Sequence, residues 1–281
     1  MTDLSIIIVN YNNKKLLEDC LASIYQNTPK ISFEIIVVDN ASTDGSPAIV
    51  KEKFPEVLLQ ENQENLGFAK ANNLGLKTCR ARYALLLNND TVVKDAALDK
   101  LVEFMDQHPE IGACGPKLLN SNGSVQHQGG LLAKKFWLSR EPVSVNFVIG
   151  AALLVKKEVI EKVGLLDENL YFYNEDLDWC ASIKKTGFKI FFVPQAEIIH
   201  HGGKSSQGTF NQRLFIEGFK GGLYFCRKHY GELAYNVYRL ALTLVLVLVL
   251  PFQILNFPRL KACLKIVALA WRGQIPKPVL K

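Results

Sequence analysis

Three short acidic elements carry the residue types with most chemistry in them: Val37-Val38-Asp39-Asn40, Leu87-Asn88-Asn89-Asp90 and Asn174-Glu175-Asp176-Leu177-Asp178. A histidine pair, His200-His201, follows the third. Carboxylates bind divalent cations through oxygen, accept N–H groups and take protons from hydroxyls. Carboxylates and imidazole converging on one crevice suit a divalent cation that holds a phosphorylated substrate.

Each element also has a plainer use. Asp39 can accept from the N3–H of a pyrimidine, with Asn10 and Tyr11 on the neighbouring strand exit, or serve as a turn acid beside Ser42 and Thr43. Asp90 suits Mg²⁺ or Mn²⁺ at the end of a strand, or caps the following helix with Thr91. Of His200 and His201, ahead of Gly202-Gly203, one can ligate the same cation, and imidazole favours Mn²⁺. Glu175, Asp176 and Asp178 open a helix, where the dipole favours acids. Capping accounts for one of the three. Crowded carboxylates raise one another's proton affinity, which suits a general base. The aromatics around them, Tyr171, Phe172, Tyr173 and Trp179, serve equally as site wall or as core.

The elements that must position these groups follow from pattern. Leu4 to Val9, Glu34 to Val38 and Tyr83 to Leu87 are apolar runs that read as buried parallel strands, with a shorter one at Glu56 to Gln60. Helical spacing follows at Lys14–Gln26, from Ser46-Pro47 to Phe54, from Phe68 to Cys79, and at Lys94–His108. This alternation predicts an α/β fold with a doubly wound, mostly parallel, Rossmann-like sheet, whose ligands sit at the carboxyl ends of its strands. Further on, strands are expected at Ile111–Leu119, Phe147–Lys156 and Lys189–Val193, with a Gly-rich loop at Gly129-Gly130 and helices at Glu158–Val163 and Leu177–Thr186.

The tail differs. The chain of 281 residues carries +6, but nine of its 33 Lys/Arg and one of its 27 Asp/Glu lie from Phe225 onward. The tail therefore holds +8 and residues 1–224 hold −2, which gives the body no case for nucleic acid. Two domains are expected: 1–224, and a helical, membrane-associating 225–281. Leu240 to Phe257 is short for a membrane span, is interrupted by Pro251, and is flanked by basic residues at both ends. An interfacial or re-entrant segment on anionic lipid fits better. Six scattered cysteines read as reduced thiols, and the start lacks the basic region of a signal peptide.

Taken together, the motifs resemble family 2 glycosyltransferases of the GT-A fold, in their rhamnosyltransferase-like branch. The matching pieces, spread from Leu4 to about Tyr230, are Ser5–Asn12, Val37–Gly45, Glu64–Ala69, Leu87–Asp90, Gly150–Ala152, Phe172–Asp178 and His200–Gly203. The resemblance implies inverting transfer from a nucleotide-diphosphate sugar, with dTDP-rhamnose the first guess, to a lipid-linked saccharide in cell-surface polysaccharide synthesis. It places the enzyme peripherally, or re-entrant, at the cytoplasmic face of the membrane. Asn10, Tyr11, Asp39, Asn65, Gly67, Phe68 and Asn89 would form the donor site, and Asp90 with His200 (His201 less so) would hold Mn²⁺ or Mg²⁺. Asp176 would be the base, supported by Glu175, Asp178 and Trp179. One departure is that the family's Asp-x-Asp motif is here Asn88-Asn89-Asp90, which lowers the expected cation affinity. Two other classes remain. A sugar nucleotidyltransferase would need a Gly-rich loop where Asn10–Asn13 stand, and a non-catalytic sugar-nucleotide-binding scaffold would not need the intact acidic cluster.

Overall fold

The computed structural model describes residues 2–28, 30–128, 134–202, 210–253, 256–272 and 275–276. Strands β1 (Leu4–Asn10), β2 (Phe33–Asp39), β3 (Leu58–Glu61) and β4 (Tyr83–Leu87) pair in parallel in the order β3-β2-β1-β4. The apolar runs of β1, β2 and β4 suit a sheet covered on both faces, while β3, at the edge, stays partly exposed. Alternation along β1 decides which side each residue serves. Ile6 and Ile8 pack with Leu17, Leu21 and Ile24 of α1 (Lys14–Asn27) and with Leu98, Leu101 and Met105 of α4 (Ala97–Gln107). Ile7 faces the other layer, with Leu76 of α3 (Phe68–Thr78), Val159 of α6 (Lys157–Val163) and Trp179 of α7 (Glu175–Lys185). The short helices α2 (Ser46–Lys53) and α5 (Lys134–Trp137) complete the body.

Beyond β4 the sheet changes direction. Strand β8 (Ala152–Lys156) enters antiparallel between β4 and β6 (Ile111–Leu119), and β9 (Lys189–His200) runs parallel to β6. Strands β5 (Thr91–Val93) and β7 (Val143–Ser144) pair antiparallel to β9. The sheet is therefore parallel in its first half and mixed in its second. Strand β9 runs seven residues further than its pattern predicts, because the register shift after Pro116/Val193 lets Pro194 sit without a ladder N–H. Thr91 lies in a strand, so Asp90 is not the helix cap that the local pattern allowed; α4 starts at Ala97 with no side-chain cap. The expected glycine loop at Gly129-Gly130 lies outside the described residues.

Helix α8 (Gln212–Val249) begins inside the stretch assigned to the body and bends at Gly231, whose φ of 83° is left-handed. The bend folds the helix back on itself: a Cβ on Gly222 would meet the Tyr238 hydroxyl at 3.3 Å. A 3₁₀ turn, Leu250–Gln253, contains Pro251 and leads to α9 (Phe257–Trp271). Leu223, Tyr224, Tyr235, Leu246, Cys263 and Ile266 form the core of this helical cap, joined by Leu170 from the body.

Candidate active site

The carboxyl ends of β2, β1 and β4 are stitched together by amide side chains. Asn10 Nδ2 donates to Asp39 Oδ1 (2.9 Å), and Asn10 Oδ1 accepts from Asn89 Nδ2 (2.7 Å). Asp39 Oδ2 also accepts from the Ser42 amide at 2.8 Å, so the turn role open to it is filled. A carboxylate has further lone pairs, and the base-reading role stays available. Tyr11, beside it, is half exposed and presents its ring at the strand exit. Asn40, which the motif reading gave no role, accepts from Asn62 (2.9 Å) and donates to Asn65 Oδ1 and to the Gly67 carbonyl (both 3.3 Å). It holds the Asn65–Phe68 loop over the strand ends. A cavity of about 220 Å³ flanks this loop, lined by residues that include Asn65, Lys70, Glu168 and Tyr171.

Asp90 is 4 % exposed, and its Oδ1 lies 3.3 Å from Nε2 of His200. The other ring nitrogen, Nδ1, bonds Gln126 Oε1 at 2.7 Å, which in the neutral ring puts the proton on Nδ1 and leaves a lone pair on Nε2. In that state Nε2 faces Asp90 Oδ1 and Asn88 Nδ2, both at 3.3 Å, and a proton or a cation between nitrogen and carboxylate would bind there. A six-coordinate cation with ligands near 2.1 Å sets neighbouring ligand atoms about 3 Å apart. The donor set thus fits Mn²⁺ or Mg²⁺, with imidazole favouring Mn²⁺. Among the described residues no group of three or more His, Cys, Asp or Glu is positioned for a metal, so most ligands of a bound cation would come from phosphate and water oxygens. His201 is turned elsewhere: its Nδ1 bonds Ser121 Oγ at 2.8 Å. Gly203 lies outside the described residues.

Asp176 stands at the start of α7. Tyr173 and Asn174 before it both have φ of 69°, in the left-handed region. Side chains adopt that backbone at a cost of about 1–3 kcal/mol each, and such strain clusters where a chain must aim groups at a site. Asp176 accepts from the Gly150 amide (2.9 Å) and the Leu177 amide (2.8 Å). Burial raises its proton affinity, and the two amides work against that rise. Glu175 is 6 % exposed with no partner on Oε2 among the described residues. Burial, and then the charge of Asp176, push its carboxyl well above the usual range.

Gly150-Ala151 is where the parts meet. Gly150 holds Asp176, and a Cβ on it would touch the Phe68 ring at 3.2 Å and Asp176 Cβ at 3.7 Å. The Ala151 carbonyl accepts from the Asn88 amide (3.0 Å), two residues before Asp90. The Asn65–Phe68 loop, the Asp90–His200 pair and Asp176 therefore share one rim of the sheet. Two expected members do not join it. Asp178 gives both oxygens to the cap, to Lys228 Nζ (2.7 Å) and His229 Nε2 (2.8 Å). Trp179 is 1 % exposed in the core, its indole N–H on the Gly164 carbonyl at 2.9 Å. Both anchor α7 rather than line the rim. Asn40 and Asn88 stood in the quoted motifs with no role of their own, and Gln126 stood in none; their bonds join elements distant in sequence.

The chain matches Glycosyl transferase family 2 over residues 5–164 and belongs to that family. The N-acetylglucosaminyl-diphospho-decaprenol L-rhamnosyltransferase of Mycobacterium tuberculosis is 29% identical over 242 residues, 73% of this chain and 78% of the relative. The O-antigen biosynthesis protein RfbC of Myxococcus xanthus is 29% identical over 218 residues, 70% of this chain but 17% of that protein. Among solved structures, S. aureus TarS 1-349 with UDP aligns at TM-score 0.60 and 18% identity, over 81% of this chain and 66% of that one. GalNAc-T7 with UDP, GalNAc and Mn²⁺ aligns at 0.60 and 20%, over 70% of this chain and 43% of that one. At these identities the structures define the fold, GT-A, and this chain spans under half of GalNAc-T7.

Proposed function

We propose that this glycosyltransferase moves a sugar, with inversion, from a nucleoside-diphosphate donor to a lipid-linked saccharide at the cytoplasmic face of a membrane, in assembly of a cell-surface polysaccharide. dTDP-rhamnose is the donor of first choice; the named substrate of the mycobacterial relative supports the rhamnosyl and lipid-diphosphate parts. The observation that carries the reading is the convergence of Phe68, Asp176 and the Asn88–Asp90 segment on Gly150-Ala151.

Asp39, Asn10 and Tyr11 hold the base and ribose, and the loop of Asn65, Gly67 and Phe68 closes over the sugar, with Asn89 tying that end together. A divalent cation held by Asp90 and His200 would neutralise the diphosphate and steady it as the leaving group. The acceptor hydroxyl gives its proton to an Asp176 oxygen as its own oxygen bonds the anomeric carbon. The bond from that carbon to the β-phosphate oxygen breaks, and its electron pair leaves with the nucleoside diphosphate. Glu175, beside the base, has its carboxyl raised by burial and by the charge of Asp176, and its Oε2, without a partner among the described residues, would be open to the acceptor.

The test is a panel of nucleotide sugars offered with a synthetic lipid-diphosphate N-acetylglucosamine acceptor and Mn²⁺. Transfer from dTDP-rhamnose with an inverted linkage is expected. Asp176→Asn lowers kcat by about 10²–10⁴-fold with donor binding intact. Near-normal transfer by a folded Asp176→Asn would reassign the base. Binding of a donor with no transfer or hydrolysis would make the chain a scaffold instead.

A further inference from the structure

We propose that Gln126 is a positioning residue for the cation pair: it holds His200 in the Nδ1–H tautomer and so points the Nε2 lone pair at Asp90. The inference rests on the cation reading above and concerns a residue outside every motif quoted for the family.

The orientation of Gln126 is set by a chain of bonds in which each donor leaves only one arrangement for the next. Ser124 Oγ donates to Asn122 Oδ1 (2.7 Å) and accepts from Asn120 Nδ2 (2.9 Å). That turns Asn120 Oδ1 to accept from Gln126 Nε2 (3.1 Å). Gln126 Oε1 is then the atom left facing His200, and it accepts from Nδ1 at 2.7 Å. On the far side of the ring, Asn88 Nδ2 approaches Nε2 at 3.3 Å, a donation that needs the lone pair there.

The backbone makes this arrangement rigid. Asn120 N donates to the Ser124 carbonyl, Gly123 N to the Asn120 carbonyl and Gln126 N to the Leu118 carbonyl, each at 2.8 Å. Leu119 bridges Val125, so residues 119–125 form a closed turn off β6. Gly202 packs on the other flank with φ of 44°; a Cβ there would lie 3.0 Å from Gln126 Nε2. A side chain at 202 would displace the amide that sets the tautomer.

Consequence follows from the thinned motif. With one carboxylate at Asn88-Asn89-Asp90, the second protein ligand is a neutral imidazole. Without a fixed partner on the other nitrogen, either ring nitrogen carries the proton, and half the site is lost whenever Nε2 does. A partner that accepts from the N–H of the non-ligating nitrogen typically carries about 10- to 100-fold of cation affinity.

Two measurements test this without turnover. Nitrogen NMR of histidine-labelled protein, free of metal, reads the tautomer of His200, assigned by its loss in His200→Ala. Wild type is expected as Nδ1–H, and Gln126→Leu as a mixture. Titration with MnCl₂ in the presence of UDP, followed by the resonance of free Mn²⁺, is expected to show about 10- to 100-fold weaker binding in Gln126→Leu. Gln126→Glu, whose carboxylate accepts the same proton, keeps the tautomer and an affinity within a few-fold of wild type, and Gln126→Met, which also lacks an acceptor, replaces the leucine variant should leucine not be tolerated. If Gln126→Leu matches wild type in both readouts while Asp90→Asn and His200→Ala bind weakly, the positioning role is wrong and the cation site stands. If Asp90→Asn and His200→Ala bind Mn²⁺ as wild type does, the cation reading falls and takes this one with it.

Discussion

Asp176 and Glu175 are neighbours with different surroundings, and that difference separates their chemistry. Asp176 is held by two amides that favour its charged form, whereas Glu175 Oε2 has no partner among the described residues. Burial and the charge on Asp176 keep Glu175 protonated above the usual carboxylate range. A carboxyl raised on folding contributes stability that is complete below its unfolded pKa and is lost as pH rises through the folded value. Wild type should therefore lose stability towards alkaline pH through this group. Glu175→Gln is expected to melt higher than wild type at pH 9, with the difference shrinking at pH 5, in melts recorded across that range. An equal gap at all pH values would show that Glu175 is not the group responsible. The acid cluster was legible because three carboxylates exceed what a helix cap needs. Gln126 was not, because a lone glutamine in a polar loop carries no local signal.

At the level of elements, α7 is clamped by the first half of α8. Lys228 bridges Asp178 and Asp167, both at 2.7 Å, Tyr224 donates to Asp167 (2.7 Å), and Asn174 donates to the Gly218 carbonyl (2.9 Å). Burial works against the charge on Asp167, yet Lys228, the Asn169 amide and Tyr224 hold its carboxyl down to about 2. Lys228→Met takes the ammonium from Asp178, 3 % exposed at its side chain, and leaves it the His229 contact. The cost is expected near the low end for breaking a buried pair, about 3 kcal/mol, because Lys228 keeps a fifth of its surface in water. Urea unfolding measures it, and a loss under about 1 kcal/mol would mean the pair contributes no more than a surface one. Helices and long strands were legible from their periods. Strand β5 was not, since three residues become a strand only by pairing with β9.

The whole molecule is a sheet body with a helical cap whose outer face is apolar. Leu233, Val237, Leu240, Leu244, Leu248, Phe257 and Leu264 are exposed, with Arg259, Lys261, Lys265 and Arg272 exposed around them. Helix Gln212–Val249 is long and apolar enough to cross a membrane by composition, but its bend at Gly231 divides it. Such a surface suits the plane of an anionic bilayer. Leu244→Asp combined with Leu248→Asp is expected to weaken sedimentation with vesicles containing phosphatidylglycerol by about 100-fold. Unchanged sedimentation would remove this face from the membrane reading. Point changes are preferable to truncation, because Leu170 of the body shares the core of the cap.

Sequence alone determined the kinds of group present and the strand ends that carry them, because a buried strand shows as an apolar run and its exit as a polar turn. It also located the basic, apolar tail, which composition reveals directly. Only the tertiary structure decided which acids share the rim, that Asp178 and Trp179 serve packing, and that Gln126 faces His200. Those are contacts between residues tens of positions apart, and a side chain's partner there depends on where the backbone carries it, which no local pattern records.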